Sequence, residues 1–146
     1  MTVIEFLKHA RQRLVTCGPD ESIEEVAKRL HAHNIGAMPV CEGDRRIVGI
    51  ISERDLVRAI ATKGYDLRRL KTSDLMTAKV VSCGVDENMR AAQELMRTNR
   101  FRHLPVVEDG RVLGMLSIRD TLAMRLQESE FEINVLRDVV VAARNR

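Results

Sequence analysis

The hydrophobic positions of this chain follow two patterns that alternate along its length. Apolar residues spaced three or four apart predict amphipathic helices, whereas short apolar runs bounded by charged turns predict strands. Their order is strand, helix, strand, strand, helix, and this order occurs twice. The helical stripes are Ile23, Val26, Ala27 and Leu30; Leu56, Val57, Ile60 and Ala61; Met89, Ala92 and Met96; and Leu122, Ala123 and Leu126.

The limits of these elements are marked by capping and turn residues. Ser22, with Glu25 three residues later, and Asn88 are the predicted N-caps of the first helix in each copy. Ser52 and Ser117 are the predicted starts of the second helix. The first predicted strand of each copy ends near Cys17 or Cys83. The other predicted strands span 38–41 and 46–51 in the first copy, and 104–107 and 111–116 in the second.

The second half of the chain repeats the first in sequence as well as in pattern. Val15-Thr16-Cys17-Gly18 recurs 66 residues later as Val81-Ser82-Cys83-Gly84. Val48–Asp55 recurs 65 residues later as Leu113–Asp120, so a one-residue gap in the intervening turn reconciles the two spacings. Matches that keep their order over most of a repeat indicate an internal duplication.

The duplication predicts the domain organisation. Because a unit of about 50 residues buries too little surface to be stable alone, we expect the two copies to pack sheet against sheet around a pseudo-twofold axis, sharing one core and leaving two related clefts. The fold class is therefore α/β (α+β), with tandem β-α-β-β-α repeats. The predicted segments are an N-terminal helix or arm (1–12), a first repeat (13–62), a linker (63–74), a second repeat (75–126) and a C-terminal helix (127–146), which packs on its own chain or on a partner chain.

Composition narrows the classes of function. Of the 146 residues 45% are hydrophobic and 31% charged, which is typical of a globular protein. The 24 basic and 21 acidic residues are interspersed, which argues against a nucleic-acid binder but suits a protein that holds anions in a pocket. Three cysteines without CxxC spacing predict free thiols in a reducing compartment and no metal site. No membrane span or signal peptide is predicted, so the expected location is the cytoplasm.

Four segments carry a resemblance to a known family. In this order and duplicated, they resemble the CBS-domain pair, a regulatory module named after cystathionine beta-synthase, over residues 13–126, and the whole chain looks like the small stand-alone members. The segments are Ile35–Val40, Val48–Asp55, Phe101–Val106 and Leu113–Asp120.

The resemblance implies a function and its partners. It implies that the chain binds an adenine nucleotide between the repeats, forms a homodimer and acts in trans on an unknown target protein. AMP is the expected ligand, with ADP, ATP or NAD(H) as alternatives. A purely structural or dimerisation module without ligand is the alternative function. An enzyme is less favoured, because no catalytic set has a recognisable spacing, and we predict that the chain is not one.

Two duplicated serine–aspartate pairs are the first candidate site residues. Ser52 with Asp55, and Ser117 with Asp120, have the spacing of a capping box at a helix start. In the family, this S/T-x-x-D element binds ribose, for which a carboxylate is suited because it accepts hydrogen bonds from both hydroxyls. The capping and ribose-binding roles are compatible in one residue pair.

The resemblance also implies the remaining contacts of the nucleotide. The hydroxyls of Thr16 and Ser82, at strand ends, lie near the ribose. Backbone groups at the start of the second strand of a repeat contact the adenine edge, and the apolar side chains that can sandwich the ring are Val15, Ile35, Val81 and Phe101. Pro39 and Pro105 lack an N–H, so they are expected where the strand has no hydrogen-bonded neighbour. The complete set of predicted site residues is Val15, Thr16, Ile35, Gly36, Ala37, Met38, Pro39, Ser52, Arg54, Asp55, Thr77, Lys79, Val81, Ser82, Phe101, Arg102, His103, Leu104, Pro105, Ser117, Arg119 and Asp120.

The phosphate ligands are expected from the repeat opposite the ribose. A nucleotide on Asp55 would meet Arg102, His103 and Arg119, and one on Asp120 would meet Gly36, Ala37 and Arg54. We therefore predict that the cleft at Asp55 attracts anions more strongly. Gly36 departs from the basic residue found there in some members, which leaves room at Asp120 for a dinucleotide such as NAD(H).

Overall fold

The computed structural model describes residues 1–64 and 66–145 and contains both predicted repeats. A 3₁₀ turn is formed by Asp66–Arg69. The helices and strands, in chain order, are α1 (Val3–Ala10), α2 (Ile23–His33), β1 (Ala37–Glu42), β2 (Arg46–Ser52), α3 (Glu53–Lys63), α4 (Thr72–Leu75), α5 (Met89–Asn99), β3 (His103–Glu108), β4 (Arg111–Ser117) and α6 (Ile118–Arg144).

The predicted capping residues are confirmed as the starts of four helices. Ser22 accepts a hydrogen bond from the Glu25 backbone N–H at 3.2 Å, and Asn88 accepts one from the Arg90 N–H at 2.8 Å. Ser52 and Ser117 are the N-caps of α3 and α6. Each satisfies a helix N–H that would otherwise have no partner.

The strands predicted to end near Cys17 and Cys83 are reduced to single parallel bridges, to Val40 and Val106 respectively. The reason lies in the residue that follows each cysteine. The backbone N–H of Gly84 donates to the Glu87 carboxylate at 2.9 Å, and Gly18 makes the same kind of contact with Glu21 in the first repeat. The chain therefore turns toward the helix before a second pair of strand residues forms.

One antiparallel sheet joins the repeats, with strand order β1-β2-β4-β3. The hairpins β1–β2 and β3–β4 are paired along their length. Between the repeats, β2 and β4 meet at one register pair, Arg46 with Arg111. This arrangement confirms the predicted fold class.

The buried residues form two clusters, one in each repeat, and not the single shared core that the duplication predicts. Met38 and Ile51 belong to the first cluster, and Leu104 and Leu116 to the second. Each hairpin packs one face on its own preceding helix, and the two hairpins meet edge to edge at β2 and β4. A junction of this kind is too narrow to merge the two cores.

The segments outside the repeats are integral to the fold. In α1 the Val3 N–H donates to the Glu87 carbonyl at 2.8 Å, which ties this helix to the second repeat. The linker is more than a connection, because it contains α4 and buries Leu67 and Thr72 against the first repeat. The boundary predicted at 126/127 lies inside α6, since Leu126-Gln127-Glu128 contains no helix-breaking residue.

Candidate functional site

Two clefts open where the repeats meet, and each is lined by one of the predicted ribose aspartates. The Asp55 cleft has a volume of about 280 Å³. The Asp120 cleft, on the other side of a common wall, has a volume of about 400 Å³. The wall that both clefts share consists of Gly36, Ala37, Glu53, Arg102 and His103.

Asp55 and Asp120 hold equivalent positions at the starts of α3 and α6. The Ser52 N–H donates to Asp55 Oδ2 at 2.8 Å, and the Ser117 N–H donates to Asp120 Oδ2 at 2.7 Å. In the described part of the chain, neither Oδ1 atom accepts a hydrogen bond, and the nearest cation to Asp55 Oδ1 is Arg58 Nη1 at 3.9 Å. Each carboxylate therefore caps its helix through one oxygen and has a second oxygen available for a ligand hydroxyl.

The pseudo-twofold relation also holds in the backbone of the shared wall. The Glu53 N–H donates to the Gly36 carbonyl at 2.9 Å, and the Ile118 N–H donates to the Arg102 carbonyl at the same distance. The backbone around the two clefts is thus equivalent. They differ because one repeat supplies Gly36 and Glu53 where the other supplies Arg102 and Ile118.

His103 fills the space that Gly36 leaves empty. A Cβ atom on Gly36 would lie 3.0 Å from His103 Cε1 and 3.2 Å from Glu53 Oε1. Burial lowers the pKa of His103, although the negative charges of Glu53 and Asp120 partly oppose this effect. His103 is therefore uncharged near neutral pH and acquires a positive charge between the clefts only in acid.

The two clefts differ in charge in the predicted direction. The Asp55 cleft has two acidic residues, Glu53 and Asp55, and the Asp120 cleft also has two, Glu53 and Asp120. Basic side chains are more numerous in the Asp55 cleft, where five arginines and lysines meet, against two in the other. Those of the Asp55 cleft are Arg54, Arg58, Lys79, Arg100 and Arg102, and those of the Asp120 cleft are Arg102 and Arg119.

The predicted assignment of two arginines to the clefts was wrong. Arg54 lines the Asp55 cleft and Arg119 lines the Asp120 cleft, the reverse of the expectation. Each precedes its aspartate by one residue in the same first helical turn and lines the same cleft as that aspartate. Arg102 and His103 line both clefts, which is consistent with their predicted place opposite Asp55.

The apolar side chains expected to sandwich one adenine are divided between the clefts. Val81 and Phe101 line the Asp55 cleft, and Val15 and Ile35 line the Asp120 cleft. Each cleft therefore has an apolar side of its own. The predicted residues that line one or both clefts are Val15, Ile35, Gly36, Ala37, Pro39, Ser52, Arg54, Asp55, Thr77, Lys79, Val81, Phe101, Arg102, His103, Ser117, Arg119 and Asp120.

Five predicted residues line neither cleft: Thr16, Met38, Ser82, Leu104 and Pro105. Met38 and Leu104 are fully buried, because they follow Ala37 and His103 by one residue on a strand and point to the opposite face. The Pro105 carbonyl accepts from the Cys83 N–H at 3.0 Å. The Thr16 carbonyl accepts from Arg29 Nη1 at 2.9 Å, and Ser82 is exposed to solvent.

Sequence reasoning missed nine residues that line the clefts. Four of them form two pairs that the duplication relates, because Ile50 corresponds to Met115 and Asn34 corresponds to Arg100, but neither member of either pair was predicted. Asn34 and Arg100 end α2 and α5 with left-handed φ values of 51° and 57°. The missed residues are Ile50, Glu53, Arg58 and Arg100 in the Asp55 cleft, and Gln12, Leu14, Asn34, Met115 and Ile118 in the Asp120 cleft.

The side chain of Gln12 makes in the second repeat the contact that a backbone group makes in the first. In the first repeat, Thr77 and Ile50 exchange two backbone hydrogen bonds at 2.9 and 3.0 Å. In the second repeat, the carboxamide of Gln12 makes the same pair of contacts with the Met115 backbone, at 2.7 and 3.0 Å. Gln12 therefore fixes the edge of β4 that borders the Asp120 cleft.

The described residues, 1–64 and 66–145, contain no group of His, Cys, Asp or Glu side chains arranged to hold a metal ion. Burial raises the pKa of the Cys17 and Cys83 thiols to about 12. No helix in this part of the chain has the length and apolar character needed to cross a membrane.

Comparison with known proteins gives a consistent result. The model of the CBS domain family matches residues 5–62 and 73–125. The mitochondrial CBS domain-containing protein CBSX3 of Arabidopsis thaliana is 33% identical over 124 residues, which is 82% of this chain and 60% of that protein. The chain thus spans about three fifths of the length of this relative.

Solved structures are similar to this chain in both fold and sequence. A CBS-domain containing protein of Agrobacterium tumefaciens, ATU1752, superposes with a TM-score of 0.80 at 42% identity, over 86% of this chain and 99% of that one. PAE2072 of Pyrobaculum aerophilum, solved in complex with AMP, gives 0.73 at 29% identity over 82% and 89%. MJ0100, solved with 5′-methylthioadenosine and S-adenosyl-L-methionine, gives 0.75 at 27% identity over 89% and 98%. The chain belongs to the CBS domain family.

Proposed function

We propose that this chain is a regulatory module that binds an adenine nucleotide in the Asp55 cleft, with AMP as the expected ligand. The observation that carries the proposal is the geometry of the two capped aspartates. Each presents a carboxylate oxygen to a cleft at a helix start, where its negative charge is favoured. Similar proteins have been solved with AMP, 5′-methylthioadenosine and S-adenosyl-L-methionine, which share an adenosine group.

The phosphate is proposed to contact the basic side chains of the Asp55 cleft. Five arginines and lysines line this cleft against two carboxylates, and guanidinium groups bind phosphate oxygens in pairs. The charge excess suits ADP and ATP as well as AMP. We therefore expect affinity to rise with the number of phosphates until the cleft of about 280 Å³ is filled.

The Asp120 cleft is proposed as a second, weaker site. Its basic and acidic side chains balance, and at about 400 Å³ it is the roomier of the two. These properties favour an adenosine that carries little negative charge, or a larger ligand such as NAD(H). The shared wall at Arg102 and His103 would make the occupancy of one cleft affect the other.

The proposed output is a conformational signal to another protein, not catalysis. A homodimer is part of this proposal, because apolar side chains are exposed on α3 and α6. Val57 and Ile60 are 64% and 58% exposed, and Leu122 and Leu126 are 53% and 61% exposed. Leu56, which the sequence placed in the same stripe, packs against the first core and is not part of that surface.

Calorimetric titration with adenosine, AMP, ADP, ATP and NADH tests the proposal. We expect AMP to bind more tightly than adenosine, and the difference to shrink as salt rises, because phosphate contacts are screened. A matched thermal-shift series should show stabilisation by mass action. If none of the five ligands binds or raises the melting temperature at millimolar concentration, the chain is a structural module and the proposal is wrong.

A further inference from the structure

The second half of α6 projects beyond the rest of the molecule. Thr121 and Met124 are buried against the second repeat, and Glu128 is the last half-buried residue. Residues 129–145 are all exposed and pack against nothing in the described part of the chain. They also lie outside the residues that match the CBS family model, which end at 125.

This projecting segment is too apolar to remain alone in water. Ile133, Leu136 and Val140, on one face of the helix, are 47%, 64% and 50% exposed. A helix of about 16 residues is also only marginally stable without packing. A partner surface must therefore cover it.

The spacing of the apolar residues identifies the geometry of that surface. Positions alternating by four and three residues, from Leu122 onward, form a heptad seam. The a positions are Leu126, Ile133 and Val140, and the d positions are Leu122, Ser129, Leu136 and Ala143. The β-branched residues Ile133 and Val140 at a, with leucine at d at positions 122 and 136, favour two parallel strands, although Ser129 is a polar residue within the seam.

Charge complementarity indicates that the partner is a second copy of the same helix. In a parallel pair, each g residue faces the e residue five positions later on the other helix. Arg125 would then face Glu130, and Glu132 would face Arg137, so each pairing is between opposite charges. We propose that two copies of this chain pair through a parallel, in-register coiled coil formed by residues 122–143.

Disulfide trapping tests the orientation of the intact protein. We expect Ala143→Cys to cross-link to the same residue of a second copy under mild oxidation, because d positions meet across a parallel seam. In an antiparallel pair the two introduced thiols would lie at least about 15 Å apart, too far for a disulfide. Asn134→Cys, on the polar face of the same helix, is the matched control and should remain uncrosslinked. Equal cross-linking of both variants, or of neither, would overturn the proposal.

Sedimentation of charge variants gives an independent test. Glu132→Arg and Arg137→Glu should each weaken self-association, since each places like charges at both g–e contacts. A mixture of the two should recover a dimer, because every contact is then between opposite charges. Leu136→Asp should raise the dimer dissociation constant at least about tenfold. These residues contact neither cleft, so AMP binding by a monomeric Leu136→Asp variant separates this proposal from the nucleotide site. A wild-type monomer at millimolar concentration would contradict it.

Discussion

His103 and Glu53 come from different repeats and approach each other over Gly36, where an added Cβ would lie 3.0 Å from the imidazole and 3.2 Å from the carboxylate. Both side chains line both clefts. Burial keeps the pKa of His103 below its ordinary value. The titration of this residue should therefore be visible in both stability and ligand binding.

The stability of the protein should fall in mild acid partly because of His103. Its pKa is lowered on folding, so the unfolded chain binds the proton more readily below about pH 6.5. The stabilising contribution of neutral His103 is present above that pH and is lost as the pH falls through the pKa of His103 in the folded protein. Between about pH 7.5 and about pH 5, the melting temperature of the wild type should drop further than that of His103→Gln. Parallel losses in the two proteins would contradict this assignment.

AMP binding should be linked to uptake of a proton by His103. A phosphate near the imidazole favours its charged form, so binding near pH 6 should draw a proton from the buffer. Calorimetry in buffers of different ionisation enthalpy measures the number of protons directly. The phosphate of AMP itself ionises near pH 6 in both proteins, so the wild type is compared with His103→Gln. The variant should take up fewer protons than the wild type, and equal numbers in the two proteins would show that the phosphate lies elsewhere.

Asp55 and Asp120 should contribute unequally to AMP affinity. Loss of hydrogen bonds from ribose to a charged group costs about 1.5–3 kcal/mol, so Asp55→Ala should weaken binding by roughly 10- to 100-fold. Asp120→Ala should have a smaller effect on the tighter site. Asp74→Ala is the control, because Asp74 accepts from the Lys71 N–H at 2.8 Å in the same capping geometry but lines neither cleft. Equal, negligible losses would refute the ribose assignment.

Met38 and Leu104 should behave as core residues and not as ligand contacts. Both are fully buried, so substitution by Ala should lower the free energy of unfolding by about 2–5 kcal/mol in denaturant titrations. Val81→Ala provides the opposite case, because Val81 is 36% exposed and lines the Asp55 cleft. It should weaken AMP binding with a loss of stability below about 1 kcal/mol.

The Glu21–Arg29 pair should stabilise the first repeat more than its counterpart stabilises the second. Arg29 contacts both Glu21 oxygens, at 2.6 and 3.0 Å, and also the Thr16 carbonyl. The arginine is the main cause of the lowered pKa of Glu21. Glu21→Gln should therefore cost about 1 kcal/mol of unfolding free energy, a modest value because both side chains are partly exposed.

The duplication supplies the control for this pair. Glu87 accepts from the Gly84 N–H at 2.9 Å, but Leu95 takes the place of Arg29, so Glu87→Gln should cost less. The difference between the two variants should shrink in acid, since the contribution of Glu21 is lost as the pH falls through its lowered pKa. Equal costs for the two glutamines at neutral pH would contradict the role of Arg29.

Much of the local structure could be predicted because its causes lie within a few residues of each other. The cap at Ser22 depends on a backbone N–H three residues away, and the stripe from Ile23 to Leu30 depends on helical periodicity. The strands at Cys17 and Cys83 were overestimated for a local reason too, since the glutamates at 21 and 87 pull the chain into a turn.

The sites were only partly predictable because they depend on contacts between distant residues. The first-turn position of Arg54 and Arg119 is evident from the sequence, but the cleft each one faces depends on how α3 and α6 lie beside the other repeat. No motif or spacing in the sequence identified Arg58 or Arg100 as a site residue. They enter the Asp55 cleft because the edge-to-edge junction of β2 and β4 brings the two repeats together there.

The duplicated element order, the capping residues of the helices and the paired aspartates are evident from the sequence, since each follows from spacing along the chain. Three features depend on how the repeats pack: their separate cores, the basic side chains gathered on the Asp55 side, and the place of His103 against Gly36 between the clefts. They could not be predicted, because burial of each hairpin on its own helix sets how the repeats meet. That meeting brings Gly36 and Arg102 together although 66 residues of chain separate them.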